Sequence, residues 1–230
     1  LKWLHDIWSA DRIAAFQPIT LETKGRDAIR ERWSELDPEH QGFMADLLVA
    51  GRLKTLCAAA FVIPVLSEEA CAFLVQSSDA YAWEENEQEQ PAFRIPEVVL
   101  REQDPQLEQE LKVALFAALA PVTVSVWGRL PDSYSSLQLT RYNPRDRDGG
   151  AYHIDAASDY TAVIALNDDF TGGGTAICDG LLGEIIIPPV PKGFALIFDG
   201  KKTLHKGLAV TSGDRRLLTV WALNDKNNIW

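Results

Sequence analysis

Four side chains in the second half of the chain have the types and spacing to do redox chemistry: His153, Asp155, His205 and Arg215. His153 and Asp155 sit two apart in Tyr152-His153-Ile154-Asp155, and His205 follows fifty residues after Asp155. Two imidazoles and a carboxylate can hold one face of Fe(II) and leave the opposite positions open, as oxygen chemistry requires. Arg215 lies ten residues beyond His205, in Gly213-Asp214-Arg215-Arg216. A guanidinium there can grip a carboxylate with two parallel hydrogen bonds, where an ammonium offers only a point charge.

Such a site needs strands to build it. Side chains on a strand alternate faces, so His153 and Asp155 point the same way while Ile154 points outward into apolar packing. On a helix the two would stand about 200° apart. Hence a strand is expected over Ala151–Asp155, and His205 must arrive on a distant one. Arg215 and Arg216 must likewise face opposite sides, and Arg216 is read as a solvated or sheet-covering charge. His5 and His40 have no paired acid and are read as surface or packing residues.

The rest of the chain agrees with that requirement. The first sixty residues read as helical, with Leu4, Ile7, Trp8, Ile13 and Phe16 at mixed three- and four-residue spacings. Asp37-Pro38 opens a second helix expected to run towards Ala60. Phe61–Pro64 reads as a short strand, and Ser67 caps a helix to about Ser78. Ala82–Gln90 reads as a solvated acidic loop, and Asp104-Pro105 starts a helix that Pro121 is expected to close. Beyond Pro121 come short strands with glycine and proline punctuation, at Val122–Trp127, Ser135–Tyr142, Ala151–Asp155, Tyr160–Asn167, Thr175–Cys178, Glu184–Ile187, Phe194–Phe198, Thr203–Ala209 and Arg215–Leu223. Roughly eight strands at this spacing predict an α+β fold, a jelly-roll core braced by N-terminal helices. The expected division is a helical extension at 1–60 and one domain at 61–230, its core at about 122–224.

Composition narrows the function. The formal net charge of −11 disfavours nucleic acid, and a basic peptide is electrostatically compatible with it. Three cysteines, Cys57, Cys71 and Cys178, without a Cys-x-x-Cys, are read as reduced packing residues. No apolar run approaches the roughly 20 residues of a membrane span, and the N-terminus lacks a secretory pattern. The expectation is a cytoplasmic chain without a membrane partner. It opens on Leu1 rather than Met, and is read as trimmed or cut from something longer.

Residues from about Gln138 to Leu223 resemble the Fe(II)/2-oxoglutarate-dependent oxygenases, in their prolyl and lysyl hydroxylase branch. The matching stretches are Arg141-Tyr142-Asn143-Pro144, His153-Ile154-Asp155-Ala156, Ala165-Leu166-Asn167, Gly172-Gly173-Gly174-Thr175 and Pro191-Lys192-Gly193-Phe194-Ala195-Leu196. A further stretch, His205 to Arg215, has the form His-x-Gly-Leu-x-x-Thr-x-Gly-x-Arg and is similar to the catalytic domain of procollagen lysyl hydroxylases. Phe61–Pro64 and Ser67–Cys71 look like the entry strand and helix of prolyl 4-hydroxylases. The resemblance implies Fe(II) on His153, Asp155 and His205, with 2-oxoglutarate and O2 at the remaining positions and ascorbate as an accessory reductant. It implies Arg215 as anchor of the far carboxylate and Tyr142 as a phenol bonded to the same group. Thr161, and less strongly Trp221, are expected to line the co-substrate pocket. The triple glycine is read as tight turning at the site's mouth. Halogenating relatives replace the carboxylate ligand with a small residue, so Asp155 implies hydroxylation. The implied substrate is a prolyl or lysyl side chain of a peptide or protein. A free amino acid or small metabolite stays open, as does a non-catalytic binding module with a structural metal.

Overall fold

The computed structural model describes residues 54–57, 60–87, 89–127, 133–179 and 183–223. The expected helices within residues 1–53, with His5 and His40, lie outside the described residues.

The described chain runs β1 (Lys54–Cys57), β2 (Ala60–Pro64), α1 (Glu68–Ser78), β3 (Glu97–Val99), α2 (Leu100–Gln103), α3 (Pro105–Trp127), then β4 (Ser133–Tyr142). There follow β5 (Tyr160–Ala165), β6 (Thr171–Gly172), β7 (Thr175–Asp179), β8 (Gly183–Ile187), β9 (Phe194–Asp199), β10 (His205–Gly207), β11 (Val210–Ser212) and β12 (Arg215–Leu223). A seven-stranded antiparallel sheet in the order β1-β2-β9-β5-β12-β4-β3 faces a three-stranded sheet, β10-β7-β8, and β11 pairs with β6. This is the expected jelly roll with helices on one side.

Alternation along the large sheet sorts two populations of side chains. Leu137, Leu139, Ile164, Ile197, Leu218 and Val220 turn to one face, and with Phe61 and Ile63 they pack against Leu74 of α1 and Leu107, Leu111 and Leu115 of α3. The other face carries Val62, Leu196 and Phe198, which meet Ile177 and Ile187 of the small sheet. Near β4 and β12 that same inner face turns polar, and the space between the sheets opens. Local chemistry sets the helix starts. Ser67 accepts from the Ala70 amide at 3.0 Å, and Asp104 Oδ1 accepts from the Leu107 amide at 3.0 Å, each satisfying an otherwise orphaned donor.

Four expectations are corrected. Residues 54–57 pair with β2 as a strand instead of continuing a helix to Ala60. Pro121 does not end its helix, and Val122–Trp127 is not a strand, because α3 runs through to Trp127. The β-branched run there suits a strand locally, but tertiary packing overrides propensity: the extra turns bring Trp127 onto Tyr160, centroids 5.0 Å apart, and edge-on to Phe61 at 5.7 Å. Ala151–Asp155 is extended but forms no ladder; its one bridge is His153 to His205. The Thr203–Ala209 strand shortens to β10.

The triple glycine turns as expected. Gly172, Gly173 and Gly174 have φ of 75°, 73° and 106°, a left-handed run that L side chains rarely adopt. A Cβ on Gly174 would stand 2.4 Å from the Ile187 carbonyl oxygen. Arg216 covers the opposite face, where its guanidinium donates to Val75 O, Ser78 Oγ and Asp79 Oδ1 at the C-terminal end of α1.

Candidate active site

His153 and His205 are held first by their backbones. His153 N donates to His205 O and His205 N donates to His153 O, both at 2.9 Å, so one reciprocal pair joins the two segments. Asp155 N donates to Gly200 O, also at 2.9 Å. His153 and Asp155 do share a face, as alternation requires, but Ile154 on the other face is 46% exposed to solvent instead of packed.

The two imidazoles are oriented by the same device. His153 Nδ1 lies 2.9 Å from Ala151 O and His205 Nδ1 lies 2.9 Å from Thr203 O, in each case the carbonyl two residues back. A carbonyl can only accept, so each Nδ1 carries the proton and each neutral Nε2 presents a lone pair. Both Nε2 atoms turn to Asp155: His153 Nε2 is 3.4 Å from Oδ1 and His205 Nε2 is 3.8 Å from Oδ2. The three donor atoms lie within 4.8 Å of one another. Such a donor set, with tautomers already fixed for ligation, fits a divalent iron of the two-histidine, one-carboxylate type.

Burial opposes the charge of all three groups, and their neighbours decide the outcome. Against that burial, a hydrogen bond with His153, the nearby His205 and the Thr161 hydroxyl hold Asp155 below the usual carboxylate range. His153 is likewise disfavoured as a cation by burial, yet Asp155 and the Ala151 carbonyl lift it above the usual imidazole value. For His205 burial wins, and its pKa falls.

The site opens on a cavity of about 460 Å³ between the sheets. Arg215, 4% exposed, stands on the cavity wall with Leu217, Thr219 and Trp221, the inward-facing alternates of β12. Its one described hydrogen bond runs from Nη1 to Gly174 O at 2.8 Å, and it has no carboxylate partner among the described residues. A buried guanidinium without a counter-ion is costly unless something anionic meets it. That fits a ligand carboxylate. Tyr142 is the cross-strand partner of Arg215, its ring centroid 5.8 Å from the guanidinium carbon. Gly207 passes so close that a Cβ would lie 3.3 Å from the phenol oxygen. Thr161 also lines the cavity, but its hydroxyl is donated to Asp155 Oδ2 at 2.5 Å.

Two cavity residues went unnoticed in the sequence. Phe93 stands edge-on to His153, centroids 5.9 Å apart. Glu97 on β3 faces the cavity while Val98 enters the core, and burial, with Glu89 and Glu102 nearby, pushes its carboxyl up to about 7. The alternation Ile95, Glu97, Val99 carried the signal, but a three-residue edge strand is too short to be read by periodicity. The end of the acidic loop is not simply solvated, since Glu89 and Gln90 line the cavity as well. Cys71 is buried and Cys178 partly so, and neither forms a disulfide among the described residues. No helix among the described residues is long and apolar enough to cross a membrane.

No family model matches the chain. Its sequence is 30% identical over 183 residues to procollagen-lysine,2-oxoglutarate 5-dioxygenase 1 of Mus musculus, covering 73% of this chain and 24% of that protein. The chain therefore spans about a quarter of the length of the curated relatives it matches. In fold it is similar to an oxidoreductase of the 2OG-Fe(II) oxygenase family from Burkholderia pseudomallei, with TM-score 0.59 and 14% identity over 81% of this chain and 92% of that one. A prolyl hydroxylase from Trichoplax adhaerens, solved with a hypoxia inducible factor peptide fragment, gives TM-score 0.56 and 13% identity over 90% and 96%.

The unequal histidines predict how metal binding responds to acid. Both must be neutral to ligate, and His153 has the raised pKa, so it protonates first as pH falls. Co(II) affinity, followed by titration without co-substrate, should begin to weaken above the ordinary imidazole midpoint of about 6.5. A midpoint well below that value would contradict the assignment.

Proposed function

Because this chain belongs to the Fe(II)/2-oxoglutarate-dependent dioxygenases, on their prolyl and lysyl hydroxylase-like side, we propose that it hydroxylates a lysyl or prolyl side chain of a peptide or protein. One observation carries the reading. Three ligand atoms with free lone pairs and one buried, unpaired guanidinium open onto the same cavity. A passive structural metal would have no use for the second.

When bound, iron and 2-oxoglutarate together supply oxidation of an unactivated C–H bond by O2, with succinate and CO2 as co-products. The chain's own residues do the rest. His153, Asp155 and His205 would hold the metal. Arg215 would take the far carboxylate of the co-substrate, and the Tyr142 phenol, whose ring centroid lies 5.8 Å from the guanidinium carbon, would donate to the same group. Phe93, Ile95, Val163 and Leu217 keep the cavity wall apolar and exclude water. Peptide relatives and an acidic cavity rim support a macromolecular substrate over a free amino acid.

Within that reading, Glu97 favours lysine. Its half-buried carboxyl has no hydrogen bond or ion pair among the described residues. The nearby guanidiniums are committed elsewhere: Arg94 donates to Glu89 O at 2.9 Å and Glu87 O at 2.8 Å, and Arg147 donates to Arg94 O at 2.9 Å and to Pro91 O. An incoming ammonium would complete a charge the fold leaves open.

The direct test is mass spectrometry of lysyl and prolyl peptides, with free amino acids alongside, after incubation with Fe(II), 2-oxoglutarate and ascorbate. A gain of one oxygen on a peptide, coupled to succinate release, is expected; a purified chain that binds metal and co-substrate yet oxidises none of them would refute the reading. Arg215→Lys should raise the KM for 2-oxoglutarate about 10-fold or more, the loss of one charge-assisted hydrogen bond, with metal affinity unchanged. Glu97→Gln should lower kcat/KM for a lysyl peptide about 5-fold, the upper end for a partly exposed pair, and leave a neutral peptide unaffected. The sign with pH follows: Glu97 is neutral below about 7 and charged above it, so selectivity for the cationic peptide should grow as pH rises through that value and vanish in the variant.

A further inference from the structure

The carboxylate ligand has two oxygens, and the fold treats them differently. Asp155 Oδ2 accepts the Thr161 hydroxyl at 2.5 Å, while Oδ1 lies 3.4 Å from His153 Nε2 and, with that imidazole neutral, takes no donor among the described residues. Thr161 is 1% exposed and sits on central strand β5, paired on both sides to Phe198 and Trp221. Its hydroxyl therefore has a fixed origin. The space it occupies is kept by Gly200: a Cβ there would stand 2.8 Å from Thr161 Oγ1 and 2.5 Å from Ser158 O. Gly200 also accepts the Asp155 amide, so one short segment holds the aspartate's backbone and leaves room for the group that holds its side chain.

A carboxylate free at both oxygens can chelate a metal through both. At this site that would consume a coordination position, and a three-ligand face is useful only while its remaining positions stay open. A hydroxyl donating to Oδ2 draws on that oxygen's electron density and ties its orientation to β5, which favours ligation through Oδ1. We propose that Thr161 is a positioning residue which, by its hydrogen bond to Asp155 Oδ2, restricts the aspartate to one-oxygen ligation through Oδ1. The inference rests on the metal site of the proposed function and adds to the expectation that Thr161 lines the co-substrate pocket. Thr161 acts through Asp155 and touches no reacting atom.

The test uses Co(II) alone as the probe, without 2-oxoglutarate or peptide. Thr161→Val removes the hydroxyl at nearly constant volume, and Thr161→Ser restores it; thermal melts of both identify a variant that fails to fold, with Thr161→Ala as the second apolar substitution. Losing an outer partner of a ligand typically weakens a metal by about 10- to 100-fold. Expected is a loss of that order in Thr161→Val or Thr161→Ala, with the visible Co(II) bands shifted towards a more fully coordinated ion. Thr161→Ser should recover both affinity and spectrum. A purely structural threonine would change stability without moving the bands. Folded apolar variants that bind Co(II) with wild-type affinity and an unchanged spectrum would overturn the proposal, as would a folded serine variant that recovers neither. A wild-type chain that binds no Co(II) would fail the metal site itself and this inference with it, whereas binding without turnover would fail only the proposed reaction.

Discussion

The reciprocal pair of amide bonds between His153 and His205 is the constraint on which the site depends. The two ligand segments are fifty residues apart and belong to different parts of the roll: His205 begins β10 on the small sheet, and His153 lies on an extended stretch outside any ladder. One antiparallel bridge fixes their distance, and the carbonyls of Ala151 and Thr203 then fix both rings. Each of these bonds is worth only about 0.5–1.5 kcal/mol net. Their value is geometric, since a metal face tolerates little displacement of its donors. The bridge also explains why Ala151–Asp155 need not be a full strand. One pair sets the register of three residues, and Gly200 O takes the Asp155 amide that a neighbouring strand would otherwise satisfy.

How much of this was legible depended on how local each cause is. The ligand pair was readable because face-sharing at i and i+2 holds for any extended backbone, in or out of a ladder. Arg215 was readable for the same reason, as β12 is long and regular. Ser67 and Asp104 announced their helices through cap chemistry that reaches only three residues. Elsewhere the cause lay far away in sequence. The run after Pro121 prefers a strand locally and becomes helix because Trp127 finds Phe61 and Tyr160 across the fold. Residues 54–57 became a strand by adding to the edge at β2. Glu97 escaped because its meaning comes from the cavity it faces. Thr161 lines the cavity, but its bond to Asp155 depends on an approach that Gly200 permits, and no spacing rule carries that.

Charge is laid out along the cavity with little cancellation among the described residues. Arg215 is buried near Gly174, and burial lowers its pKa, yet a guanidinium stays charged through the accessible range. Glu97 and Glu89 stand on the cavity wall as well, and the arginines near them serve backbone carbonyls. A cation and an acid that meet no counter-ion among the described residues each cost desolvation energy. Such groups persist where a ligand supplies the opposite charge, which is the premise of the roles proposed for Arg215 and Glu97.

The large sheet separates these costs from the stability that must carry them. Its helix-facing side is a continuous apolar layer, and its inner side holds the polar groups; neighbouring residues on β12 sort to opposite destinations. Arg215 enters the cavity and Arg216 binds the end of α1, though the two are chemically identical. A slip of one residue would exchange them, pointing Leu218 and Val220 into the cavity and Thr219 and Trp221 into the helices. The apolar cost of that exchange falls on Leu218 and Val220, neither of which has any exposed surface. The hydrophobic layer thus selects which arginine reaches the site, and packing on one face of the sheet determines the chemistry available on the other.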